Sequence, residues 1–141
     1  MSVGEYMAKY MRTEERLPEG AAPPGGRVDH TSLLGTWYAT DKAAAGIVKM
    51  VLSDRDGAFV LRAFGAAEPE PVDFGEVSAI AYAASVASPQ AMALSAVYDF
   101  GFLETILAAY GKGGILVLDT FNTFKDKSGR SPYFTREFFH R

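Results

Sequence analysis

The chain has 141 residues, 48% of them apolar, and a net charge of -3 from 14 Lys+Arg and 17 Asp+Glu, the balance of one folded domain rather than a disordered tail. It has no basic excess to neutralise a phosphate backbone, so nucleic acid is not an expected partner, and without cysteine it has no disulfide, no thiolate nucleophile and no Cys-ligated zinc. No leader of basic then apolar residues opens it and no run approaches the ~18 apolar residues of a membrane helix, so a cytoplasmic protein with no membrane partner is expected.

Val3, Tyr6, Met7, Tyr10 and Met11 recur at helical spacing, and Ser2 with Glu5 has capping-box spacing, which predicts a short amphipathic helix within residues 1–17. Pro18, Gly20, Pro23, Pro24, Gly25 and Gly26 then mark residues 18–30 as a linker. From Thr31 the pattern is that of strands: Leu34 to Thr40, Ile47 to Leu52, Ala58 to Phe64, Phe74 to Ala83, Met92 to Tyr98, Phe102 to Tyr110, Ile115 to Phe124 and Tyr133 to His140. The segments between them are short and rich in Gly, Pro, Asp and Ser, as in the SDRDG and GKGG turns, and none is a crossover helix. The expectation is an all-β domain over residues 31–141, an eight-stranded up-and-down antiparallel barrel that leaves no exposed edge, with a β-sandwich as the alternative.

The two ends of that domain carry a further signal. Leu33-Leu34-Gly35-Thr36-Trp37-Tyr38 opens the first strand and Phe134-Thr135-Arg136-Glu137-Phe138 lies in the last. Together they resemble the signature of the calycins, the superfamily of lipocalins, fatty-acid-binding proteins and avidins. The resemblance implies that Trp37 sits at the closed end of the barrel and that Arg136 packs across its indole, an arrangement that cation–π attraction favours. The first connection is short, as in a compact avidin-like meander, but no tryptophan follows Trp37, so biotin binding is not carried over.

Other motifs point to little chemistry. Asp-Phe-Gly occurs at residues 73–75 and 99–101, without the other kinase motifs, and Gly111-Lys112-Gly113-Gly114 leads into a strand rather than a helix. Two histidines at no ligand spacing and no Gly-x-Ser-x-Gly elbow give no reason to expect a metal, a cofactor or a nucleophilic triad. Alternation from Trp37 and Arg136 turns Phe134 and Phe138 inward. In the fourth strand one face carries Phe74, Glu76, Ser78, Ile80 and Tyr82, and the other carries Asp73, Gly75, Val77, Ala79 and Ala81; the first is taken as inward. Tyr98, Tyr110 and Asn122 are further cavity candidates. The loops after the first, third, fifth and seventh strands then form an open rim.

Three functions follow as expectations. The barrel binds a small, largely apolar molecule, or it cyclises or isomerises one with Glu76 as acid or base, or its interior is filled and it acts as an interaction module. Several strands are apolar on both faces, as in Ile115-Leu116-Val117-Leu118, so a homodimer or larger homo-oligomer is expected.

Overall fold

A computed structural model describes residues 13–18 and 28–141. The strands are β1 (Gly35–Ala39), β2 (Ile47–Arg55), β3 (Ala58–Gly65), β4 (Val72–Ala83), β5 (Ala91–Asp99), β6 (Leu103–Lys112), β7 (Ile115–Phe124) and β8 (Tyr133–His140). They form one closed barrel in sequence order, every neighbour antiparallel. Closure rests on Tyr38 opposite His140 and Ala39 opposite Phe139; because the sheet meets itself, the sandwich alternative is excluded. Turn chemistry sets the pairing locally. Arg55 and Ala58 flank Asp56-Gly57, and Lys112 and Ile115 flank Gly113-Gly114, with positive φ at all four turn residues, the backbone twist that two-residue hairpins require. Most of the helix expected in residues 1–17 lies outside the described residues; Thr13–Glu15 form a single 3-10 turn. Among the described residues no helix is long and apolar enough to cross a membrane.

The interior divides into two halves. At the end that holds the β2–β3, β4–β5 and β6–β7 turns, Trp37, Met50, Leu52, Leu61, Leu94, Leu107, Leu116, Leu118 and Phe139 are fully buried in one cluster. The 3-10 turn Thr31–Leu33 lies at this end and buries Leu33, whose carbonyl accepts the Trp37 indole N–H at 3.0 Å. The segment before the turn is held in place: Asp29 bridges to Gln90, and His30 stacks on Phe59 and bonds Asp54 at 2.7 Å.

Register corrects the expected packing of Arg136. Leu116 pairs with Phe139, Asp119 with Arg136 and Phe121 with Phe134. Phe139 and Thr135 therefore share the inner face with Leu116, and Phe134, Arg136 and Phe138 face outward. The barrel closes through Phe139 rather than Phe138, and a slip of one residue exchanges the two faces of the whole strand. Arg136 instead forms a two-pronged pair with Asp119, at 2.7 and 3.0 Å. The guanidinium over the indole is that of Arg141, just past β8, 4.3 Å from the ring centroid. It also donates to the carbonyls of Ser32 and Leu34, each at 3.1 Å.

In β4 neither face stays inward throughout. Arg62 pairs with Glu76 but Phe64 pairs with Asp73, so β4 gains one residue at Phe74-Gly75, where Gly75 has φ +83°. This bulge exchanges the faces. Phe74 points in on one side of it, and Val77, Ala79 and Ala81 point in on the other, all packed on the core. Glu76, Ser78, Ile80 and Tyr82 are consequently outside.

Candidate functional site

The half of the barrel away from Trp37 is not filled. A cavity of about 180 Å³ lies within it, lined by residues of β2 to β8 and of the loops at that end. Its wall on one side is aromatic. Tyr98 and Phe100 stack with centroids 5.5 Å apart and planes within 5°, and Phe74 meets both edge-on at 6.0 and 5.1 Å. Phe74 reaches this position because residue 65 is glycine: a Cβ there would come within 2.3 Å of the Phe74 ring.

Tyr98 is placed by the same bulge that turns Phe74 inward. The extra residue in β4 interrupts the ladder opposite Ala63, and the Tyr98 hydroxyl fills the gap, accepting from the Ala63 N–H at 2.8 Å and donating to the Gly75 carbonyl at 2.6 Å. Two backbone groups that would otherwise lack partners are thereby satisfied. Burial pushes the phenol above its usual pKa, so it stays protonated as a donor and leaves its ring face to the cavity.

The opposite wall is polar and uncharged. Thr105 donates to Asn122 Oδ1 at 2.7 Å, Asn122 Nδ2 donates to Thr120 Oγ1 at 2.9 Å and to the Tyr133 carbonyl at 3.3 Å, and Thr120 bonds Thr135. Each side chain in this chain of bonds already has a partner, so the wall offers a ligand hydroxyl lone pairs rather than unmet charge. Among the described residues, none that lines the cavity is ionisable apart from the two tyrosines.

The rim is braced. Ala66 N–H bonds the Gly46 carbonyl at 2.9 Å, tying the β3–β4 loop to the β1–β2 loop. Lys125 bonds Asp99 at 2.7 Å and its N–H bonds the Phe102 carbonyl at 2.8 Å, tying the β7–β8 loop to the β5–β6 loop. Lys125 and the Gly101 N–H hold the Asp99 carboxyl below its usual range. Bonds from Ser128, and then Arg130, hold Asp126 at about 2. Arg130 also lies 3.9 Å over the Phe124 ring. The small residues Ala45, Gly46, Gly65 and Ala66 line the cavity at the first of these braces.

Of the residues singled out from the sequence, Phe74, Tyr98 and Asn122 come together at this cavity. The other assignments are corrected. Glu76 is outside and paired with Arg55 at 2.8 Å. Ser78 is exposed, as are Tyr82, bonded to Ser95, and Tyr110, in the outward row with Val117. Phe134 and Phe138 are outside and half exposed. Thr105, Thr120, Thr135, Leu103 and Phe100 were not anticipated. The first three stand one each on the inner faces of β6, β7 and β8, where Thr120 pairs with Leu107 and Thr135, a signal that becomes readable once the frame of β8 is right. Compared with known proteins, the chain matches no family model, no curated protein and no solved structure.

Proposed function

We propose that this protein is a calycin-like barrel that holds one small, uncharged, largely apolar molecule at its open end. The observation that carries the reading is the uneven packing of the interior. At the Trp37 end the buried cluster packs the barrel axis, and the cavity of about 220 Å³ there is the more open one, bounded by the 3-10 turn, the β6–β7 turn and Arg141. At the other end, by contrast, Gly65, the Tyr98 plug and the Thr/Asn wall hold open a space between the strands themselves with flat aromatic and uncharged polar surfaces. An eight-stranded barrel is just wide enough either to pack solid or to hold one small ligand, and this one does each in turn along its axis.

Size and chemistry define the ligand. A cavity of about 180 Å³ is close to the ~150 Å³ engineered cavity that takes up benzene, and below the ~300 Å³ of pockets for drug-sized molecules. One or two rings, with at most a hydroxyl or carbonyl to meet Thr105, Asn122 or Thr120, fit that description. A carboxylate buried there would have no cation to pair with. The calycin part of the reading is supported by Trp37 at the packed end with a guanidinium across its indole, although the residue is Arg141 and not Arg136.

The test is a thermal-shift and calorimetric series with indole, phenol and benzoate, beside native mass spectrometry of protein taken from its own host. At ten times its Kd a neutral ring stabilises by about 1.4 kcal/mol, roughly 6 °C in midpoint, and benzoate does not. If no neutral ring binds and no small molecule is retained, the filled-barrel reading replaces this one.

A further inference from the structure

The outer wall of β5 to β8 is apolar in a way that the cavity does not explain. Its outward residues lie in cross-strand rows. One row runs Ala93, Tyr110, Val117, Phe138, and another runs Val97, Ile106, Phe121, Phe134. Between them lies Ser95, Ala108, Asp119, Arg136. Apart from Val117, which is buried, the large side chains of the two apolar rows are between 39% and 51% exposed, and Ile80 and Tyr82 of β4 beside them are 59% and 45% exposed. At ~150–200 Å² for each such side chain when fully exposed, the wall offers roughly 700 Å² of apolar surface. That exceeds the ~300–600 Å² patch of a typical monomer and approaches the ~800 Å² that each partner contributes to a stable complex.

We propose that this wall is a homodimer interface, occupied by the same wall of a second copy with the two sheets packed face to face. Three observations select that occupant. The first is charge. The charged groups within the three rows, Asp119 and Arg136, already neutralise each other through two bonds, so the face neither repels its own copy nor calls for an acidic or basic partner.

The second is shape. β5 presents the small Ala93 and Ser95, and β8 presents the large Phe138 and Arg136 in the same rows. A two-fold axis lying in the interface, running along the strands between β6 and β7, sets β5 of each copy against β8 of the other. Small then meets large row by row, as an isologous contact requires. The third is one-sidedness. The outer faces of β2 and β3 carry Arg55, Arg62 and Lys49, the first two paired with Glu76 and Asp73 of β4 and Lys49 lying over Phe64. A barrel set in lipid would need an apolar belt all round.

The test is sedimentation velocity and light scattering on the full chain over a concentration series. A dimer is expected at tens of micromolar, and Phe134→Glu should weaken it at least about thirtyfold. Arg55→Ala, on the polar wall, should leave it unchanged. A mixing experiment guards against a variant that merely misfolds. Ala93→Phe should clash with the partner's β8 and Phe138→Ala should leave a void, so each alone dissociates, whereas their equimolar mixture restores a heterodimer in which large meets small on both sides. A chain that stays monomeric, a dimer that survives Phe134→Glu, a mixture that forms no heterodimer, or recruitment of the wall to neutral lipid vesicles would each overturn the proposal.

Discussion

Replacing Arg141 with Ala should destabilise the barrel far more than replacing Arg136, although both are exposed arginines near its last strand. Arg141 lies 4.3 Å over the Trp37 ring and ties two carbonyls, those of Ser32 and Leu34, across the turn that closes the packed end. A cation–π contact at an exposed site contributes about 0.5–1 kcal/mol, and each hydrogen bond about 0.5–1.5 kcal/mol, toward the lower end here because water can replace the lost donor. The sum is about 2 kcal/mol, or roughly 8 °C for ~110 ordered residues. Arg141→Lys should fall between wild type and Ala, since an ammonium keeps the charge but cannot span two carbonyls while lying flat on the ring.

Arg136→Ala removes only a surface pair with Asp119 and should move the midpoint by less than half as much. Differential scanning calorimetry gives the midpoints, and emission of Trp37, the chain's single tryptophan, reports locally and should shift in Arg141→Ala alone. A larger loss from Arg136→Ala than from Arg141→Ala, or an emission change in Arg136→Ala, would refute the assignment.

Gly65→Ala should drive the Phe74 ring into the cavity, lowering stability by about 1–3 kcal/mol and abolishing uptake of neutral rings, both read in one ligand-dependent melting series. Tyr98→Phe leaves the Ala63 N–H and the Gly75 carbonyl without the hydroxyl they share; a loss of about 1–3 kcal/mol in urea titration is expected, with faster exchange of the Ala63 amide. The carboxyls of Asp54, Asp73, Asp99, Asp119 and Asp126 are all held below their usual range. Groups depressed in this way contribute stability above their unfolded pKa of ~3.9 and lose it as pH falls through the folded values. Midpoints should therefore be flat from pH 7 to about 5 and decline steadily between about 4 and 2, a decline that Asp126→Asn makes shallower.

The order of elements was legible because period-two runs and Asp-Gly or Gly-Gly turns act locally, and Trp37 at the packed end was legible from Gly-x-Trp. The inner faces were less so, for two particular reasons. In β8, Phe134-Thr135-Arg136-Glu137-Phe138-Phe139 carries large side chains in both frames, so only the partners Leu116 and Ala39 decide that Phe139 goes in. In β4 a bulge at Gly75 exchanges the faces mid-strand, and no alternation rule survives that. Those two events moved Glu76, Ser78, Tyr82, Phe134 and Phe138 outside, while Tyr98 and Asn122 lie on strands whose frames their neighbours fixed. Arg141 was missed because it lies one residue past the last strand's pattern, where its partners belong to a turn rather than to a ladder.

The central claim is that the open half of the barrel is a container. A crystal structure determined after soaking with indole tests it most directly. Ring density is expected between Phe74, Tyr98 and the Thr105–Asn122 pair, with the indole N–H directed at a threonine or asparagine oxygen and the Trp37 end unchanged. A cavity collapsed onto Phe74, or density only on the outer wall of β5 to β8, would contradict it.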